Sequence, residues 1–229
     1  EWLAEMIRSG VESNAVVYSS LITTWARSGR EDAVAKAEYY LKEMKRGYDA
    51  GRGDCKPSNM TYTAVLDAMA KSKPKNNTLE KATRLLNELR NEASKGDRLC
   101  EPNSRTFTCY LCIVARSHNH SKATIVRDIV KEMDERGIEV NDRHLNEVLA
   151  ACAWSQKSPY REKNFEIALH AIARIHKHWK PDGRCYVRFF ESAIGLRKHK
   201  KVDLAWELCK ENGFDRDKRV RSAYDEAIR

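Results

Sequence analysis

Glycine and proline are scarce, 10 and 5 among 229 residues, which excludes collagen-like and low-complexity chains. No apolar run approaches the roughly 18 residues needed to cross a bilayer, and no signal-peptide pattern opens the chain. The first residue is Glu1 and not Met, so we read the chain as a piece of a longer protein, in which a missing targeting signal means little. No stretch alternates apolar and polar residues as a half-buried strand does. The seven cysteines form an odd set without framework spacing, and Cys152 and Cys209 fall in strongly helical stretches. Reduced thiols in a non-secreted compartment are expected.

Catalytic signatures are equally thin. There is no glycine-rich phosphate loop and no nucleophile motif. Cys109 and Cys112 have two-cysteine metal spacing, but zinc needs four ligands and no second pair stands at a comparable distance; packing within a helix is the expectation. His118, His120, His176 and His178 read as exposed residues of loops and helix ends. Asp215 and Asp217 lack the supporting carboxylates that a divalent ion for phosphodiester chemistry would require, and read as a helix start. No metal and no cofactor is expected, and an enzymatic domain of the parent protein would lie outside these residues.

What the chain does have is charge and period. Forty-two Lys and Arg against 33 Asp and Glu leave a net charge of +9, which favours a polyanionic partner or an acidic membrane surface. A bulky anchor followed three and four residues later by apolar residues occurs as Tyr18-Leu21-Ile22, Tyr62-Val65-Leu66, Phe107-Tyr110-Leu111, Leu145-Val148-Leu149 and Tyr186-Phe189-Phe190. The anchors are separated by 44, 45, 38 and 41 residues, and Tyr224 follows after another 38. A unit with one apolar face cannot bury that face alone and must stack on its neighbours.

The segment 104–141 shows the unit most clearly. Phe107, Tyr110, Leu111 and Val114 share one helical face, helix A; Ser117 to Ser121 make a polar break; Ile125, Ile129, Val130 and Met133 then mark helix B. Gly137 stands where a left-handed helix cap is expected. Helix B recurs as Ala37-Leu41-Met44, Ala82-Leu86-Leu89 and Ala168-Ile172-Ile175, while the fifth unit has Ala205-Leu208 and no apolar residue at the place of the Met. The predicted units are 15–58, 59–103, 104–141, 142–182 and a divergent 183–219, with the tail of a preceding unit over 1–14 and the start of another at 220–229. Two loops, 47–57 and 93–102, are swollen.

Tyr18-Ser19-Ser20-Leu21-Ile22, Ala26-Arg27-Ser28-Gly29, Ala37 to Met44 and the ending Lys56-Pro57 together resemble a pentatricopeptide repeat protein. Tetratricopeptide repeats are also helix pairs, but their Trp, Leu-Gly and Tyr signature in helix A is missing. The turns between paired helices look about three residues longer than the usual pentatricopeptide unit. The resemblance implies an all-α solenoid of antiparallel helix pairs in a right-handed superhelix, with the A helices lining the inner face. It also implies single-stranded RNA binding at about one base per repeat, in organellar RNA processing, stability, editing or translation, hence a mitochondrial or chloroplast protein. A monomer is expected, with no membrane contact and with other RNA-processing proteins as further partners.

Carried over residue by residue, the family's base-reading pairs fall on Ser19 with Ser58, Thr63 with Asn103, Thr108 with Asn141, and Asn146 with Asp182. The residues that pack on a base fall on Val16, Met60, Arg105, Arg143 and Arg184. By the family's pairing pattern and strand direction, the target core reads A-A-U. Ser, Thr, Asn and Asp are also ordinary helix N-caps, so each position has a plain structural alternative. Independently of the family, Arg27, Lys71 and Arg116 recur nine residues after the first three anchors, a stripe suited to a phosphate backbone, or to a helix C-terminus complemented by cations. Trp154 and Gly195 interrupt that stripe in the next two units. Two other functions fit the same sequence: a protein-interaction scaffold using the concave groove, and the substrate-recognition part of an RNA-cleaving enzyme.

Overall fold

The structure, a computed structural model, describes residues 14–154 and 159–229, without the side chain of His199. The predicted tail of a preceding unit, Leu3 to Asn14, therefore lies almost wholly outside the described residues. All regular structure among the described residues is helical. By its contacts the chain divides into two units, one ending at Ile113 and the other beginning at Val114.

The first unit holds α1 (Ala15–Arg27), α2 (Ala33–Asp49), α3 (Asn59–Lys71), α4 (Thr78–Ser94) and most of α5 (Ser104–Arg116). Helix α1 starts because the side-chain oxygen of Asn14 accepts the N–H groups of Val16 and Val17, two donors that a helix start leaves without carbonyl partners. It buries Tyr18, Ile22 and Ala26, spaced by four, and stops before Gly29, which takes φ +66°. Its face packs on both α2 and α3, and α3 packs in turn on α2 and α4. The result is one layer of A helices and one of B helices. Each buried anchor, such as Tyr62 or Phe107, is worth about 1.5–3 kcal/mol by the surface it removes from water.

The swollen loops are shorter than the sequence implies. Helix α2 continues to Asp49, turns at Gly51 with φ +89°, and enters a 3₁₀ turn over Gly53–Cys55; α4 continues to Ser94, turns at Gly96 with φ +91°, and enters a 3₁₀ turn over Arg98–Cys100. Each turn drives its cysteine into the core. Lys56 and Asp97, one from each insertion, form an ion pair at 2.7 Å.

The second unit contains α6 (Lys122–Glu135), α7 (Asp142–Ala153), α8 (Arg161–His178), α9 (Gly183–Ala193), α10 (His199–Glu211) and α11 (Lys218–Ile228). Here α7 packs on α6, α8 and α9, and α9 packs on α8, α10 and α11. Asn212 occupies the place where other units have an apolar helix B residue. It donates to the hydroxyl of the anchor Tyr186 at 2.9 Å, and Phe214 supplies the missing ring contact at 6.0 Å. Trp206 and Tyr224 stack at 4.3 Å and 11°, closing an aromatic cluster with Phe190.

Candidate nucleic-acid interface

The starts of the A helices carry the residues singled out by the sequence. The last residue of each of the first four predicted repeats is a helix cap. Ser58 makes a reciprocal capping box with Thr61; Asn103 Oδ1 accepts Thr106 N–H at 3.1 Å; Asn141 Oδ1 accepts His144 N–H at 3.2 Å; Asp182 Oδ1 accepts Cys185 N–H at 3.0 Å. Burial alone would raise the Asp182 carboxyl, but the Cys185 bonds and the Arg184 guanidinium at 3.0 Å hold it below the usual carboxylate range.

Three of the residues after an anchor, Ser19, Thr63 and Asn146, are turned toward the next repeat. Ser19 and Thr61 share a hydrogen bond of 3.0 Å. Thr63 is buried, and its hydroxyl lies 2.7 Å from that of Thr106 and donates to Asn59 Oδ1 at 2.8 Å. Asn146 Oδ1 accepts from the Cys185 thiol at 3.3 Å. Thr108 donates to Ser104 O at 2.9 Å within its own helix. The partners Thr61, Thr106 and Cys185 were missed in the sequence. Their signal is positional: each is the polar residue directly before an anchor. Thr61 and Thr106 do double duty, since each hydroxyl also accepts the N–H of the cap residue three positions back, from Ser58 at 3.4 Å and from Asn103 at 3.2 Å.

The packing positions, by contrast, face solvent. Val16 and Met60 are 72% and 74% exposed, and Arg105, Arg143 and Arg184 are exposed as well. Arg184 is tethered to Asp182, and Arg105 stands 3.6 Å from Asp67.

The three stripe residues differ from one another. Arg27 is exposed at the end of α1. Lys71 is exposed but pairs with Asp67 at 2.6 Å, so part of its charge is already spent. Arg116 is half-buried and acts on Glu147, whose carboxyl burial pushes up against the opposing pull of Arg188, Arg116 and Arg184.

Cys109 is buried and Cys112 half-buried within α5, in keeping with packing. Among the described residues no group of three His, Cys, Asp or Glu side chains is placed to hold a metal ion. Asp217 caps α11 by accepting Arg219 N–H at 2.9 Å. His176 is the correction: expected in solvent, it is half-buried and lies 3.2 Å from the Tyr186 hydroxyl. Burial lowers its pKa, Glu211 opposing. The last turn of α8 packs on α9 through Tyr186, which a local reading of His-Lys-His does not show.

A family model of the pentatricopeptide repeat domain matches residues 2–72. No curated protein matches the chain. Two solved structures are similar over 98% of it: the pentatricopeptide repeat protein PPR10 in complex with an 18-nt psaJ RNA element, and a cysteine-to-serine variant of that protein with the same element. Each is 16% identical with a TM-score of 0.48, and this chain covers 42% of the length of each.

Proposed function

We infer that this chain, whose residues 2–72 match the pentatricopeptide repeat domain, is a pentatricopeptide repeat protein and binds single-stranded RNA along the starts of its A helices at one base per repeat. The observation that carries this reading is the contrast at each helix start. The anchor is buried, while the residue two positions earlier, Val16, Met60, Arg105, Arg143 or Arg184, is exposed. Within each unit, a row of such exposed groups, Val16, Met60 and Arg105 in the first and Arg143 and Arg184 in the second, offers stacking surfaces to bases. The cap residues and the residues after the anchors stand beside that row. At Asn146 the oxygen is taken by Cys185, so the Nδ2 donors are what it can offer a base. At Thr63 the hydroxyl would have to leave Thr106 and Asn59 to read one.

In this reading Arg27, Lys71 and Arg116 hold phosphates, each weighted by its surroundings: Arg27 most, Lys71 less because of Asp67. Family membership also supports an organellar setting, mitochondrion or chloroplast, and a role in RNA processing, stability, editing or translation. In this reading the repeats run over 15–58, 59–103, 104–141, 142–182 and 183–219.

Selection from a random single-stranded RNA pool tests the reading, with the winning sequence expected to contain A-A-U. Three to five phosphate contacts give a log–log salt slope of about −2 to −3.5. Binding with no salt dependence, or capture of peptide in preference to RNA, would overturn it.

A further inference from the structure

Trp154 interrupts the basic stripe of the first three repeats, and the structure gives it a different setting. It follows α7 directly and stays 52% exposed. The Arg188 guanidinium lies 6.0 Å from the centre of its ring, and the Lys122 ammonium lies 5.9 Å away. Both cations are held from behind. Arg188 donates to the backbone carbonyl of Asn146 at 2.7 Å, and the buried Lys122 donates to that of Ser117 at 3.2 Å. The indole is thereby fixed in orientation with half its surface in solvent.

Beside it lies an open cavity of about 220 Å³, lined by Trp154, Arg184, Val187, Arg188, Arg219 and the carboxylate of Glu191. It is smaller than the roughly 300–1,000 Å³ of pockets for drug-sized ligands, a size suited to one planar ring. Arg184 and Arg219 stand at the mouth with 75% and 79% of their side chains exposed, each steadied by a carboxylate, Asp182 at 3.0 Å and Asp217 at 3.2 Å. Val187 adds an apolar wall and cannot donate or accept a hydrogen bond. A pocket of this kind offers an indole ring, an apolar side and cations at the rim, with Glu191 as its one carboxyl, partly buried and drawn toward Arg188. A ring flanked by cations is the chemistry of base stacking.

We propose that this pocket takes one unstacked base of single-stranded RNA against Trp154, with Arg219 on a phosphate that flanks it. The proposal rests on the RNA-binding reading above and adds Trp154 to the helix start of the fifth repeat, where Arg184 and Val187 already stand. Trp154 supplies this surface at the point where the fifth repeat presents Val187 after its anchor.

The test uses the 229-residue chain and a fluorescein-labelled single-stranded RNA pool of random sequence. Trp154→Leu keeps an apolar side chain and removes the π-face; it should weaken binding about 5- to 100-fold with the salt slope unchanged. Trp154→Phe should restore most of the affinity, which separates stacking from folding. Arg219→Ala should lower the salt slope by about 0.7. If the wild type binds the pool and Trp154→Leu binds equally well, the platform is overturned while RNA binding stands. If Trp154→Phe is as weak as Trp154→Leu, stacking is overturned in the same way. If the wild type binds no RNA at any salt, both readings fall together.

Discussion

The side chain directly before an anchor connects consecutive repeats. Thr61 and Thr106 each close a capping box within their own helix and bond to the preceding repeat, and the Cys185 thiol reaches Asn146. A buried hydrogen bond contributes about 1 kcal/mol net, but leaving one partner unsatisfied costs about 1–3 kcal/mol. The polar groups of Ser19, Thr63 and Asn146 are therefore held in place without a ligand, and under the proposed function would be so before RNA binds. Such order lowers the entropy lost when a base binds, and at Thr63 it also competes with reading. Asn146 offers the cleanest test. Asn146→Thr keeps an oxygen for the Cys185 thiol and retains Asp182 as the partner, a combination that goes with guanine in the family's pattern. Competition binding should show preference moving from A-A-U to A-A-G by about 1–3 kcal/mol, by analogy with base-edge contacts in duplex DNA. An unchanged preference would leave Asn146 as a packing residue.

Among the helices, the caps at the starts of α3, α5, α7 and α9 recur in kind: a short polar side chain accepts the N–H three residues on. At α7 the box is closed by His144 Nδ1, which accepts Asn141 N–H at 3.1 Å. The preceding helix α6 ends with Ile138 N–H bonded to Met133 O at 2.8 Å across Gly137, whose φ of +68° suits glycine. One helix end thus leads into the next start over four residues. Asn141→Ala should destabilise the protein by about 1 kcal/mol, read as a lower urea midpoint with an unchanged m-value. Wild-type stability would show that water replaces the cap at no cost. Because Asn141 is also a proposed base-reading partner of Thr108, the same variant should lose adenine preference at that repeat, a separate readout.

Across the molecule, B helices are stitched by ion pairs between successive repeats. These are Lys45 with Glu88 and Lys81 with Glu38 in the first unit, and Arg174 with Asp134 and Lys201 with Glu166 in the second. Partly exposed pairs of this kind add roughly 0–1 kcal/mol each, so the apolar layers dominate stability. Those layers also hold the thiols: six of the seven cysteines are buried and Cys112 is half-buried. Burial raises Cys100, Cys109, Cys152, Cys185 and Cys209 from an ordinary 9.0 to about 12. Ellman's reagent should therefore find at most Cys112 promptly in the native protein, and all seven after denaturation; a denatured count below seven would reveal a disulfide. The sign of the pH effect follows from the same shift. An unfolded chain loses these protons near pH 9 and the folded chain only near 12, so stability present below pH 9 should drain away as pH rises through that window. A flat alkaline stability curve would contradict the burial.

The amino-acid sequence by itself determined the helices, their pairing into units and the buried anchors, because these rest on the 3.6-residue period and on caps, both written within a few neighbouring positions. It also determined that Ser58, Asn103, Asn141 and Asp182 stand at helix starts. Only the tertiary structure decided what those starts have left to offer a ligand. Ser19 meets Thr61, Thr63 meets Thr106 and Asn146 meets Cys185 across 42, 43 and 39 residues, and no local pattern specifies which hydroxyl or amide such a contact will use. The same holds for Lys71, His176 and Trp154. Local spacing places a lysine, a histidine and a tryptophan at helix ends; packing makes the first half-neutralised and the second half-buried, and gives the third an open pocket lined by arginine.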